Sequence, residues 1–206
     1  TDANILMSNG GSVETATLTF SAQRDIITTG ATITAAGDET LNIAFGATRN
    51  ITIGGNIATQ GGTFTAAGSD GTQASVTGDA TTFTVLTGVT LDTGGGVAGR
   101  AGGDIDIDTT GAIQIVGNIN TAAEDVAGGV DGAGTNAGNI NLDASGAGTI
   151  ELTGTIVATG GDANDTGATN RDGGAGGTVV FNTNSQNITI NGGGNSVGTF
   201  GGAKAN

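Results

Sequence analysis

Three carboxylates stand at alternate positions in Asp104-Ile105-Asp106-Ile107-Asp108. In an extended segment every second side chain shares a face, and neighbours on that face lie about 7 Å apart. That separation overlaps the one used by the acid and base carboxylates of inverting glycosidases. Other catalytic chemistry has little to work with. The chain has no His, no Cys, no Trp and no Tyr, and its one lysine is Lys204. A nucleophile–histidine triad, a thiolate nucleophile and a histidine-ligated metal are therefore excluded. Sugar sites also present aromatic platforms, and none is evident here. The expectation is a protein that is not an enzyme, with Asp104, Asp106 and Asp108 on a solvated strand face.

A second set of oxygens lies in Asp162-Ala163-Asn164-Asp165-Thr166-Gly167. Oxygens at alternate positions with glycine sixth follow the opening of an EF-hand loop, which makes Asp162, Asn164 and Asp165 the candidate calcium ligands. The twelfth position, however, is Gly173 rather than the bidentate Glu of that loop. A hydrated acidic loop has the same composition. No other cofactor is expected. Outward threonines raise ice binding as a further chemistry, but they are mixed with Asn, Asp and Glu, too irregular for a flat array.

The elements that hold these residues are written as a repeat. Asp104 to Asp108 is followed by Gly111-Ala112-Ile113-Gln114-Ile115 and Gly117-Asn118-Ile119-Asn120-Thr121. About 35 residues later the pattern returns as Asn139 to Asp143, Gly148 to Leu152 and Gly154 to Ala158. The alternation of apolar and polar residues is that of strands, and the segments are too short and close for helices. Three strands per copy, repeated along the chain, describe a coil. Further first strands begin near Thr17, Leu41, Thr63 and Thr178. The pairs Ile51 and Ile57, Phe83 and Val89, Ile113 and Ile119, and Ile150 and Ile156 share one spacing, which implies a fixed corner. Gly55, Gly117 and Gly154 recur in it, as expected where the backbone needs φ values that glycine adopts cheaply. Thr87-Gly88 marks a different corner in the Phe83 row.

Stacking such coils in parallel places Phe20, Phe45 and Phe64, then Ile105, Ile140 and Val179, in one apolar column. The outward row is expected to read Thr19, Asn42, Thr65, Asp106, Asn141 and Val180, with carboxylates kept out of adjacent rows. The fold class expected is an all-β, single-stranded parallel β-helix, a β-solenoid of about six coils with three short strands each. One domain over 1–206 is expected: 1–16 a partial or capping coil, 17–103 compact coils with one insertion near Ser69 to Thr72, and 104–206 coils with long Gly/Asp-rich loops. The loops at 122–138 and 160–177 leave after the third strand and should share one side of the rod, a common binding face of solenoids.

Composition bounds the function classes. Forty-two glycines and a net charge of −14, with Ile, Leu, Val and Phe near the fifth of the chain below which disorder is usual, make placement decisive. The apolar residues sit at alternating strand positions, which argues for a fold. The charge opposes nucleic acid and anionic lipid, and the sequence has no apolar run long enough to span a bilayer. Absence of cysteine leaves the compartment open. The start at Thr1, with no initiator Met or signal-peptide pattern, reads as a mature protein or an excerpt of a longer one.

Gly102-Gly103-Asp104-Ile105-Asp106-Ile107, Gly111 to Ile115 and Gly117-Asn118-Ile119, with Gly138 to Leu142 and Thr155 to Gly161, resemble the repeats of filamentous haemagglutinin-type large exoproteins, the two-partner secretion adhesins. The resemblance covers roughly 17–200. It implies a right-handed β-helix, export to the bacterial cell surface or the extracellular space, and a role as an adhesive or filamentous shaft. The family's N-terminal secretion domain carries Asn-Pro motifs, which a chain without proline lacks. The partners implied are a second copy or the continuation of a longer chain, and a host or cell-surface glycan or protein. The alternative is a calcium- or glycan-binding module using the long loops.

Overall fold

Alternating side chains produce one short strand after another, and each strand finds its partner one winding away. The computed structural model describes residues 15–66, 80–164, 171–192 and 196–205, all in strands, turns or irregular backbone. Winding one holds β1 (Thr15–Ala22), β2 (Asp25–Ile27) and β3 (Ile33–Thr34). Winding two holds β4 (Thr40–Ala47), β5 (Asn50–Ile53) and β6 (Ile57–Ala58), and winding three β7 (Phe64–Ala66), β8 (Thr82–Val85) and β9 (Thr90–Asp92). Winding four holds β10 (Ile105–Thr109), β11 (Ile113–Ile115) and β12 (Asn118–Asn120), and winding five β13 (Ile140–Ala144), β14 (Ile150–Leu152) and β15 (Thr155–Val157). Winding six closes with β16 (Val179–Thr183), β17 (Ile188–Ile190) and β18 (Val197–Gly198).

First strands form one six-stranded sheet, second strands another and third strands a third, each in winding order. The strands of all three sheets pair in parallel. This is a single-stranded parallel β-helix of six windings, as the repeat predicts. The expected insertion at Ser69 to Thr72 and the partial coil up to Glu14 lie outside the described residues.

The interior is largely apolar and built in columns. Phe45, Phe64 and Phe83 are fully enclosed, as are Ile107, Ile115 and Leu152; burying a side chain of this size contributes about 1.5–3 kcal/mol. The register divides the expected single column of the first sheet into two. Leu18, Ile43, Phe64, Ile105, Ile140 and Val179 form one row, while Phe20 lies over Phe45 in the row that continues through Ala66, Ile107, Leu142 and Phe181. The Phe rings touch edge to face, within a row from Phe20 to Phe45 at a centroid distance of 5.2 Å, across the two rows from Phe45 to Phe64 at 5.4 Å, and on to Phe83 of the second sheet at 6.0 Å.

The outward row differs from expectation at one place. Thr19 and Thr65 flank Ala44, and Asn42 pairs with Thr17 instead. A slip of two residues keeps every side chain on its face, so alternation alone could not detect it. Asp106 does lie between Thr65 and Asn141, as expected; two residues on, Asp108 and Asp143 are neighbours, and the next winding brings Asn182, whose amide donates to Asp143 at 2.8 Å.

The corner between second and third strands comes in two forms. In windings one and three it is a four-residue turn, closed by Ala31 N–H to Thr28 O at 3.0 Å and by Val89 N–H to Leu86 O at 3.2 Å. Its third residue, Gly30 or Gly88, has φ of 72° or 73°, the left-handed position of such a turn. That turn adds residues, so Leu91 and not Val89 stands in the row of Ile57 and Ile119. In windings two, four and five the corner turns at Gly55, Gly117 and Gly154, and the reason for glycine there is not a positive φ. A Cβ on Gly55, Gly117 or Gly154 would lie 1.8, 2.3 or 1.6 Å from a carbonyl oxygen of the winding beneath.

The corner after the third strand has a clamp. Thr59, Thr93 and Thr121 are buried, and each hydroxyl donates to the carbonyl of the glycine that begins the next winding: Gly62 at 2.6 Å, Gly103 at 2.6 Å and Gly138 at 2.8 Å. The sequence gap bridged grows from 3 to 10 to 17 residues. Loops of these different lengths leave from a base that is tied in the same way.

Candidate functional site

The described parts of the long loops stack into a ridge along one corner. Outgoing legs pair winding to winding through Gly95 N–H to Ala122 O (2.9 Å), Ala123 N–H to Thr159 O (2.9 Å) and Gly160 N–H to Phe200 O (2.8 Å). Further out, Val126 N–H reaches Asp162 O at 3.0 Å and Ala163 N–H reaches Ala203 O at 3.0 Å. Returning legs pair through Gly102 N–H to Asn136 O (3.1 Å) and Ala137 N–H to Ala175 O (3.0 Å). The two legs also touch each other: Gly161 N–H donates to Thr135 O and Gly174 N–H to Gly161 O, both at 2.9 Å. Backbone packed this closely excludes side chains. A Cβ on Gly174 would lie 1.7 Å from Thr135 O, and one on Gly134 2.0 Å from Gly161 O.

Of the candidate calcium ligands, Asp162 and Asn164 sit on this ridge, and Asp165 lies outside the described residues. One Asp162 oxygen accepts the N–H of Ala203 at 2.5 Å, and the N–H of Asp162 itself donates to Asp125 at 2.7 Å. The Asn164 amide donates to Ala127 O and Val130 O, both at 3.0 Å. These groups tie the ridge layers together. Among the described residues, no three His, Cys, Asp or Glu are grouped to hold a metal ion.

The carboxylates of the first sheet serve the same kind of ladder. Asp104 accepts the Asn139 N–H at 2.6 Å, and Asp106 accepts the Asn141 amide at 2.9 Å. Equivalent bonds join Asn50 to Asp25 (2.9 Å), Asn120 to Asp92 (2.8 Å) and Thr155 to Asn118 (2.7 Å). In each the donor stands one winding after the acceptor. An amide laid over a carboxylate replaces charge repulsion with a charge-assisted hydrogen bond, so the acidic composition is woven into the outer wall.

Sequence reading missed the two arginines that tie the ridge. Arg100 reaches back over two windings: its Nη1 donates to Gln60 O at 3.1 Å and Glu39 O at 3.4 Å, and its Nη2 donates to Asp38 O. Near the tip, Arg171 grips Asp131 with both prongs, Nε to Oδ1 at 3.1 Å and Nη2 to Oδ2 at 2.6 Å. That hydrogen bonding, with the guanidinium charge, holds the Asp131 carboxyl below its usual range. Lys204 pairs with Asp172 at 3.2 Å. An arginine isolated in a glycine run carries no periodicity, so only the folded distances show what it reaches.

No protein-family description, curated protein or solved structure matches this chain. Among the described residues no helix is long and apolar enough to cross a membrane.

Proposed function

We propose that this chain is a length of extracellular structural shaft, from a bacterial adhesin or a β-helical filament, in which windings stack end to end. One observation carries the reading: three parallel ladders run through all six windings around one largely apolar interior, and the side chains that looked chemically able hold neighbouring windings together. A shaft needs length, stiffness and indifference to loop insertion, and the clamped corner supplies the last. The repeat phrases quoted above support the assignment to an exoprotein shaft at the bacterial surface.

The competing function is a module that binds calcium or glycan through the loops at 122–138 and 160–177. A ligand that binds only the folded state raises its melting temperature. Protein stripped with a chelator and titrated with calcium to millimolar concentration should melt at an unchanged temperature, and a glycan array should retain none of it. A rise of several degrees, or retention on one glycan class, would replace the shaft with a binding module.

A further inference from the structure

One dipeptide of winding six holds both partners of a reaction. In Asn191-Gly192, just past β17, the side-chain amide carbon is an electrophile and the next backbone nitrogen a nucleophile within reach of it. Glycine puts no Cβ in the way. In a folded chain the outcome turns on whether that nitrogen is tied. β17 pairs with β14 so that Asn191 follows the row of Thr153, and Gly192 that of Gly154. Windings four and five tie both amides of this corner to one carbonyl: Val116 and Gly117 N–H to Val85 O at 2.9 and 3.1 Å, Thr153 and Gly154 N–H to Ile115 O at 2.9 and 3.1 Å. In winding six the Asn191 N–H keeps its bond, to Leu152 O at 2.8 Å, whereas the Gly192 N–H makes none among the described residues. The carbonyl it would use belongs to winding five, so nothing beyond winding six enters the comparison. The Asn191 side chain is exposed, as Leu86, Val116 and Thr153 are at the same corner of inner windings. A Cβ on Gly192 would lie 2.0 Å from Oγ and 2.8 Å from Cβ of the buried Ser196, so the corner selects the residue that leaves the asparagine least protected.

We propose that Asn191-Gly192 is a self-modification site, at which the folded chain converts an asparagine to aspartate and isoaspartate with water as the only co-reactant. The Gly192 nitrogen gives up its proton and bonds to Asn191 Cγ, and the side-chain nitrogen leaves with that proton as ammonia. A succinimide ring results. Water then adds to one of the two ring carbonyls and breaks its bond to nitrogen. Breaking the side-chain bond gives aspartate, and breaking the backbone bond gives isoaspartate; nothing is oxidised or reduced. Either product adds a negative charge to a chain already at −14, and isoaspartate lengthens the backbone by a carbon between β17 and β18. Asp131-Gly132, on the ridge, shows the protected arrangement. Its Gly132 N–H is held by Asn164 O at 2.8 Å, and its carboxylate is gripped by Arg171.

Tryptic mass spectrometry on the full chain, aged at mildly alkaline pH, tests the site. Thr153→Asn places the same dipeptide one winding earlier, at an exposed position where the Gly154 N–H is held. Trypsin sends the two sites into separate peptides, 101–171 and 172–204. In the folded variant the amide at 191 should be lost about tenfold faster than the amide at 153, which must first break a backbone hydrogen bond. In urea the two should be lost at equal rates. Isoaspartate should accompany aspartate at 191. The wild-type chain gives a second reading that does not depend on the variant folding: Asn191 should convert in the folded chain at a rate close to its rate in urea. Equal loss at both positions of the folded variant, or a wild-type Asn191 that keeps its amide when folded and loses it in urea, would overturn the proposal.

Discussion

Gly154 cannot carry a side chain. Its Cβ would sit 1.6 Å from Gly117 O, an overlap with backbone that only separation of windings four and five relieves. Gly154→Ala is therefore expected to cost about 3 kcal/mol or more, in the range of severe core lesions. Gly128→Ala on the ridge meets nothing within 4 Å and should change stability by less than about 0.5 kcal/mol; urea titration of the pair checks both. Arg100→Ala removes the guanidinium from three carbonyls, of which Gln60 O keeps the Thr40 hydroxyl, and should cost about 1–2 kcal/mol. Arg100→Lys should recover little, since a compact ammonium does not span a fork's targets. Asp131 answers to pH. Its folded pKa lies below the unfolded value, so its bond to Arg171 is at full strength above the ordinary carboxylate range near pH 4 and is lost as pH falls through the lowered value. Amide exchange at Gly132 and Gly134, corrected for its intrinsic rate, should quicken there while the strands stay protected. Unchanged exchange would mean that the pair does not hold the tip.

The hydroxyl clamp recurs at the loop base in windings two to four. Winding five has Ala158 where windings two to four have Thr59, Thr93 and Thr121, although Gly177 still donates its N–H to Ala158 O at 2.9 Å. Ala158→Thr should add a hydroxyl bond to Gly177 O and raise stability by about 0.5–1 kcal/mol, while Thr121→Val should lower it by about 1 kcal/mol. A chain indifferent to both changes would show that the clamp is incidental. Strands were the most legible elements, because alternation of Ile with Asp, Asn and Thr states which side faces in. Register was less so: Asn42 and Ala44 lie on one face, and a two-residue slip leaves the pattern intact. The corner glycines were visible but their cause was not, since close approach of the next winding is absent from any single stretch of chain. The acidic residues were legible as outward-facing; that Asp104, Asp106 and Asp162 accept bonds from the following winding depends on which residue stacks above each.

At the scale of the whole molecule, one geometry explains the pattern of tolerance and intolerance. Side-chain ties reach across 21 residues where windings two and three meet, 35 where four and five meet and 39 where five and six meet, yet the three sheets continue. Variation is sent outward into the ridge, and the interior rows carry on beneath it. The chain should therefore be extensible in whole windings. Gly103, Gly138 and Gly177 stack in one column, where a Cβ on each would lie 2.1, 2.0 or 2.0 Å from the carbonyl oxygen of the glycine one winding earlier, so a second copy of residues 104–177 inserted after Gly177 would join in register. Small-angle X-ray scattering on the parent and this extended chain is the most direct test. Two added windings at about 4.8 Å each should lengthen the monomeric particle by roughly 10 Å and leave the radius of its cross-section unchanged. A thicker particle of the same length, or an extended chain that fails to fold, would contradict a solenoid in which successive windings share one interior.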